Sequence, residues 1–315
     1  MEHEQVILVG VDGSPASLNA LEWAVAQARQ VGWRLHLVCA YAVPTFAAAS
    51  LDGGYAALDD TAIREGAQAV LDEAATRVSD RGVEVTSALE TGDPAGVLVD
   101  LSKQVCLVVV GTRGRSGFAE RVLGTVSSAL PAHAHCPTVV VPLHEGDDDE
   151  DNAPPLPITR IVVGVDGSDS AKVALNRAIE QAEVWDAELT AVVAVPIGAG
   201  AGLLGWLPAA VDRENVLADV EEGLNVAVDR ALEGRDLVVR RHALDGNGAA
   251  LLSEFSTAVD LVVVGSRGRG GFAGMLLGST SQQVLHHSAC PVMVVPTRVQ
   301  DEGLPPIAMG WKRRK

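Results

Sequence analysis

The chain repeats itself. LVGVDGS at Leu8–Ser14 returns as VVGVDGS at Val162–Ser168, and GTRGRSGFAERVLGT from Gly111 returns as GSRGRGGFAGMLLGS from Gly265, with 9 of 15 positions identical. Both pairs, and CPTVVVP at Cys136 with CPVMVVP at Cys290, share one offset of 154 residues. A long self-similarity at one fixed offset marks a duplicated folding unit, so the chain is expected to be one domain built twice. The 315 residues also exceed the usual single-domain size. Between the copies, Glu145–Pro157 reads EGDDDEDNAPPLP, five consecutive acids and then three prolines in four positions. Before Leu156 the segment offers no large apolar side chain to bury, which describes a solvated linker. The expected division is 1–144 for the first domain, 145–157 for the linker, 158–298 for the second domain and 299–315 for a C-terminal tail.

Each copy gives the same order of signals. A short β-branched strand (Val6–Val11; Ile161–Val165) runs into Asp-Gly-Ser, and a helix follows at once. Ser14 suits its N-cap and Pro15 its first helical position, while Leu18, Leu21, Val25 and Ala28 recur along one helical face. Next come a second strand (Leu35–Ala40; Leu189–Ala194), a variable loop, a long helix (Thr61–Arg81; Asn215–Leu232) and a third strand (Glu84–Glu90; Leu237–Leu244). Another helix leads to a continuously apolar strand (Leu107–Val110; Leu261–Val264), a glycine-rich segment, a helix and a last strand (Thr138–Val141; Val292–Val295). Apolar strands alternating with helices imply α/β units, each with a five-stranded, mostly parallel sheet and helices on both faces.

Ligands of such sheets bind beyond the carboxyl ends of the strands, where the strand order reverses. The Asp-Gly-Ser turn and the glycine-rich segment both leave strands at that end. In the latter, Gly111-x-x-Gly114, nine residues and Gly124-Thr125 open a helix through Val126 and Ser127; Gly265, Gly268, Gly278, Ser279 and Ser281 keep every spacing. Glycine at a strand exit lets backbone amides approach phosphate oxygens, and a helix start adds free N–H donors and the positive end of its dipole. Tight turns alone would account for two glycines, but not for one spacing kept twice with Thr or Ser fixed after the last.

VGVDGS, the G-x-x-G-(nine)-G-[ST] segment and the C-P-[VT]-x-V-V strand together resemble the universal stress protein family, in particular its tandem members of actinobacterial type. The resemblance covers nearly all of both halves. It implies two tandem Rossmann-like domains of HUP type, like the adenine nucleotide alpha hydrolases. Members with this glycine pattern are as a rule ATP binders, so it further implies one ATP per domain, with Mg as an optional companion, and a regulatory role in stress or growth. Carried over by position, Gly10, Asp12, Gly164 and Asp166 fall at the adenine and ribose end, and Ala40 and Ala194 beside the adenine edge. Gly111, Thr112, Arg113, Gly114, Arg115 and Gly117 would wrap ribose and phosphates, with Gly124, Thr125, Val126 and Ser127 at the β and γ phosphates. In the second half these duties pass to Gly265, Ser266, Arg267, Gly268, Arg269 and Gly271, and to Gly278, Ser279, Thr280 and Ser281. In this family the last strand pairs across a two-fold axis, so the fused chain is expected to pair Thr138–Val141 with Val292–Val295 internally, and two chains to form a homodimer.

The copies also differ. Pro131 stands where the other half has Leu285 and is expected to end or kink its helix. Cys106 replaces Asp260, and Gly92-Asp93-Pro94 replaces Gly246-Asn247-Gly248 in a loop that borders the expected ligand. Asp12 and Asp166 also suit plain turn formation, and the four arginines plain solvation.

Other function classes are disfavoured. Net charge is −17, from 24 basic and 41 acidic residues, which repels polyanions and speaks against nucleic acid as a partner. No G-x-x-x-x-G-K-[ST] occurs, and no carboxylate pair, base and lysine assemble a phosphoryl-transfer set, so no catalytic residue is assigned. A slow ATPase and a nucleotide-independent scaffold stand as alternatives to the regulator. His133, His135 and Cys136 form a cluster, but a helix end near a strand start commonly carries such residues and His135 has Ala289 as its counterpart, so they are read as structural. Cys39, Cys106, Cys136 and Cys290 lie in or beside apolar runs as buried reduced thiols. No apolar run reaches the roughly 18 residues of a membrane span, and the start lacks a basic signal-type region, so the expected location is the cytoplasm. A regulatory protein partner is expected but unidentified.

Overall fold

The computed structural model describes residues 4–42, 60–112, 114, 123–143, 157–197, 213–269 and 276–297. The acidic linker and the tail therefore lie outside the described residues, apart from Pro157. The first half runs β1 (Glu4–Gly10), α1 (Pro15–Val31), β2 (Arg34–Tyr41), α2 (Asp60–Val78), β3 (Val85–Thr91), α3 (Pro94–Leu101), β4 (Val105–Gly111), α4 (Thr125–His133) and β5 (Thr138–Val141). The second runs β6 (Arg160–Gly164), α5 (Asp169–Trp185), β7 (Glu188–Val195), α6 (Arg213–Ala231), β8 (Val239–Asp245), α7 (Gly248–Phe255), β9 (Leu261–Gly265), α8 (Ser279–His287) and β10 (Val292–Val295).

Local chemistry sets these boundaries. The Ser14 hydroxyl accepts from Ser17 N at 3.2 Å and starts α1 with Pro15 behind it, and Gly32 ends it in the left-handed region at φ +71°. Ser168 caps α5 in the same way, but its end falls on Asp186 at φ +55°, the one described non-glycine residue with positive φ. The inner face of α1 is rich in small residues, with Ala20, Ala24 and Ala28 fully buried beside Leu21, and this lets the helix lie close on the sheet. Pro131 does not end its helix: α4 continues to His133, as long as α8. A proline this near the C-terminus removes one hydrogen bond of the last turn, and Ala134 N still closes onto Leu130 O at 2.8 Å.

The strands form a single ten-stranded sheet ordered β3-β2-β1-β4-β5-β10-β9-β6-β7-β8. Pairing within each half is parallel, and order reverses between β1 and β4 and between β6 and β9. β4 and β9 are buried on both faces, which explains their unbroken apolar runs. The halves join where β5 meets β10 antiparallel, in the register Val292↔Val140, Met293↔Val139 and Val294↔Thr138. Met293 is the residue that the 154-residue offset assigns to Val139, so the pseudo-two-fold axis passes through that pair. The expected internal pairing of the last strands is therefore present.

Helices α1 and α5 also meet across the seam. Trp185 donates its indole N–H to Gln27 Oε1 at 2.7 Å, and Gln27 and its repeat counterpart Gln181 are both fully buried. Arg177 and Glu180 form a buried ion pair at 2.7 Å. Within the first half, buried Glu22 takes Arg77 Nε at 3.0 Å and Arg81 Nη2 at 2.9 Å, tying α1 to the end of α2.

All four cysteines are buried and unpaired with one another. Burial pushes the Cys106 thiol up to about 11 and that of Cys290 to about 12, far from a reactive thiolate. The exchange of Asp260 for Cys106 also removes a fastening. Asp260 Oδ2 accepts from Thr159 N (2.8 Å), Thr159 Oγ1 (2.7 Å) and Arg160 N (2.9 Å) at the start of β6. Among the described residues, no helix is long and apolar enough to cross a membrane.

Val139 is fully buried on the pseudo-axis. Val139→Asp places a charge there without a partner and is expected to cost about 4 kcal/mol or more. Urea unfolding of the two chains checks it, and an unchanged midpoint would show that the seam contributes little to stability.

Candidate functional site

Where β6, β7 and β9 end in the second half, a cavity of about 280 Å³ opens at the reversal of strand order. Its two ends differ chemically. Gly265, Arg267 and Gly268 leave β9 on one side, joined by Thr280 and Ser281 from the first turn of α8. On the other, Val192, Ala194 and Pro196 come from the β7 exit, with Leu252, Asn247 and Gly248 from the start of α7. Gly164, Val165 and Asp166 form the floor between them.

Of the expected second-half residues, Gly164, Asp166, Ala194, Gly265, Arg267, Gly268, Thr280 and Ser281 line this one cavity. Ser266 is buried behind the wall, and Arg269, Gly278 and Ser279 adjoin it without forming it. Gly271 lies outside the described residues. In the first half, Gly10 ends β1 and Asp12 follows two residues on, Ala40 lies near the end of β2, and Gly111, Thr112 and Gly114 leave β4. Gly124, Thr125, Val126 and Ser127 open α4. Arg113, Arg115 and Gly117 are outside the described residues.

The glycines divide into two groups by what a side chain would meet. A Cβ on Gly265 would lie 2.5 Å from the Ser170 hydroxyl and 2.8 Å from its carbonyl carbon, and one on Gly111 would enter the Ala16 carbonyl. At Gly10 and Gly164 it would press on Leu98 and Leu252, each at 2.9 Å. These four are set by helix packing on strand ends as much as by any ligand. Gly114 and Gly268 abut the carboxylates of Asp12 and Asp166, the latter at 2.6 Å from the built Cβ. Asp166 in turn accepts from Ser168 N through Oδ1 and from Arg269 N through Oδ2, both at 2.9 Å. Its carboxylate thus fastens the Asp-Gly-Ser turn to the glycine-rich loop. Asp12 Oδ1 accepts from Ser14 N at 3.0 Å and Ser14 Oγ at 2.6 Å.

Ser127 and Ser281 also fasten the fold. Each is buried and donates its single hydroxyl proton to a backbone carbonyl, Ser127 to Thr112 O and Ser281 to Gly265 O, both at 2.7 Å. Gly124 N and Gly278 N bond to Thr112 O at 2.8 Å and Ser266 O at 2.7 Å. These bonds hold the helix start against the strand exit. The exposed hydroxyls of Thr125, Ser279 and Thr280 have no such commitment.

Side chains of Ser14, Asp93, Ser168 and Asn247 cap the starts of α1, α3, α5 and α7. The starts of α4 and α8 carry glycine and no side-chain cap. Their first-turn amides are left to meet an anion, with the helix dipole behind them. The apolar wall of Val192, Pro196 and Leu252 was not among the expected residues, although Val192 lies two positions from Ala194 and so shares its strand face. Among the described residues no three His, Cys, Asp or Glu gather as for a metal ion, and His133, His135 and Cys136 make no such group.

Taken together, fold and site define a tandem doubly wound α/β protein with an anion-suited pocket at the strand-order reversal. The universal stress protein family model matches residues 4–142 and again 157–296, and the chain belongs to that family. Universal stress protein Rv1996 of Mycobacterium tuberculosis is 34% identical over 311 residues, covering 91% of this chain and 94% of its own. Universal stress protein Rv2623 of the same organism is 34% identical over 308 residues, covering 91% and 95%. Among solved structures, a universal stress protein from Archaeoglobus fulgidus superposes with a TM-score of 0.65 at 22% identity, covering 93% of this chain and 99% of that one.

Gly265→Ala is expected to destabilise the fold by about 1–3 kcal/mol through its clash with Ser170. Gly223→Ala, in exposed helix α6 with open space at its Cβ, is expected to stabilise by about 0.5–1 kcal/mol. Parallel urea titrations check both signs.

Proposed function

We propose that the chain is an ATP-binding regulator with one nucleotide site in each half. The observation that carries this reading is the pairing, within one cavity, of an uncapped glycine-led helix start with an apolar far wall. Phosphates belong at the α8 end, where backbone amides, the Thr280 hydroxyl and the Arg267 guanidinium supply donors. The base belongs at the far end, between Ala194 and Leu252, where an aromatic ring displaces water from apolar surface. The backbone of β7 near Ala194 is placed to read its edge. By the repeat, α4, Gly114 and Ala40 serve a second nucleotide in the first half.

The residues present do not fit a protein-held metal. Both oxygens of Asp166 already accept backbone N–H groups, so a Mg ion accompanying ATP would rest on the phosphates. Nucleotide occupancy acts on partners rather than on chemistry, because among the described residues that line the cavity no base or metal-holding carboxylate pair faces the phosphate end. With β5 and β10 paired internally, a homodimer would use the remaining surfaces. The cytoplasm, where adenine nucleotides are abundant, is the compartment this function requires.

Mass spectrometry of ligand released by heat from the purified chain should identify adenine nucleotide. Calorimetry on stripped protein should give two ATP per chain, Gly114→Glu or Gly268→Glu each removing one by setting a carboxylate among the phosphates. A stoichiometry near zero would sink the nucleotide reading, and phosphate release accompanying binding would replace the regulator by the slow ATPase.

A further inference from the structure

We infer that the seam between the halves carries a binding site of another kind, for a small aromatic molecule with a single carboxylate or sulfonate. It lies apart from the strand-end cavity and does not depend on the nucleotide reading. A cavity of about 360 Å³ opens where α1 and α5 meet. Glu22, Val25 and Arg29 line it from one face of α1, Arg81 from just beyond α2, Trp185 from the end of α5, and Pro157 from ahead of β6.

The repeat explains why this cavity is positively charged. At the 154-residue offset Arg81 matches Arg235, and Arg29 matches Glu183. In the second half those two counterparts close on each other, Arg235 Nη1 with Glu183 Oε2 at 2.9 Å. In the first half both positions hold arginine, so the same pair cannot form. Arg81 turns instead to buried Glu22, its Nη2 reaching Oε2 at 2.9 Å, and Arg77 Nε takes Oε1 at 3.0 Å. The one carboxylate of the lining is thereby neutralised. Arg29 is exposed, and among the described residues its side chain makes no ion pair or hydrogen bond.

A guanidinium is a planar fork of donors with no acceptor, so the group Arg29 can take is an oxyanion. The rest of the wall is suited to a flat apolar body. Trp185 donates its indole N–H to Gln27 Oε1 at 2.7 Å, which leaves the ring only carbon surface and its π face for a ligand. Val25 and Pro157 add further apolar surface. No helix start contributes to this lining, unlike the strand-end cavity, and α1 and α5 both finish close by, at Val31 and Trp185. Carboxyl ends of helices repel anions, which weighs against a polyphosphate and in favour of one charge held by one guanidinium. The volume accommodates a ligand of one or two rings.

The test is a fluorescence titration of 8-anilinonaphthalene-1-sulfonate into the folded full-length chain, with and without excess ATP. A saturable site that survives ATP is expected. N-phenyl-1-naphthylamine, which has the same ring systems and no charge, should bind there about tenfold more weakly, the range of one charge-assisted hydrogen bond. Arg29→Glu sets a carboxylate opposite Arg81, as in the second half, and should weaken the sulfonate about tenfold or more. Arg29→Lys keeps the charge without the fork and should cost about threefold. Arg29 is exposed, so both variants should melt with the native chain; if Arg29→Glu does not, Arg29→Lys and the uncharged probe still decide. Complete displacement of the sulfonate by ATP, an affinity unmoved by either exchange, or equal binding of the uncharged probe would each overturn the inference.

Discussion

Three residue pairs between β5 and β10 hold the two halves in one sheet, and the rest of the architecture follows from them. Parallel sheets of five strands leave two edges each, and an exposed, short, β-branched edge such as Thr138–Val141 invites uncontrolled pairing. Antiparallel pairing with Val292–Val295 closes both inner edges at once. The outer edges fall to β3 and β8, whose more polar composition (VTSALET and VRRHALD) resists further addition. The same pairing brings α1 against α5, where Gln27 and its repeat counterpart Gln181 are both buried and Trp185 satisfies the Gln27 amide oxygen.

The pocket is a by-product of how tightly helices sit on strand ends. Gly111 and Gly265 are glycine because the first turns of α1 and α5 come within contact of the backbone there. Ser127 and Ser281 then draw the following helix onto the same strand exit. With the strand end, the helix start and the Asp166 bridge all fixed by internal bonds, the amides at the start of α8 are positioned before any ligand arrives. Preorganised donors of this kind lose little on binding, which is the physical advantage of using backbone rather than long side chains.

Much of this was legible in the sequence, for definable reasons. The order of elements followed from alternating apolar runs and caps, and the last strands matched to the residue because Pro137, Pro142, Pro291 and Pro296 punctuate both ends. Strands β1 and β6 end one residue earlier than expected, since Val11 and Val165 are apolar and buried but follow the glycine that ends the ladder. The spacing of Gly111, Gly114 and Gly124, repeated at Gly265, Gly268 and Gly278, pointed to strand ends where the second half has a cavity, yet it could not separate packing glycines from pocket-lining ones, because both need the missing Cβ. The serines are ambiguous for a related reason. A hydroxyl at a helix start suits a phosphate or a carbonyl, and only the backbone geometry decides between them. Pro131 misled in the other direction, since its cost depends on how many turns remain beyond it.

Covalent fusion also changes what a mutation at the symmetry axis does. In a dimer of identical chains every substitution on the dyad occurs twice and meets itself, so a residue there must be compatible with its own copy. Here Val139 faces Met293, and Trp23 of one half corresponds to Arg177 of the other. Each side has become a separate locus. A small residue opposite a large flexible one, or an aromatic ring in one copy and an ion pair in the other, is open to this chain and closed to a symmetric pair. The seam therefore also permits the drift that makes the two copies unlike.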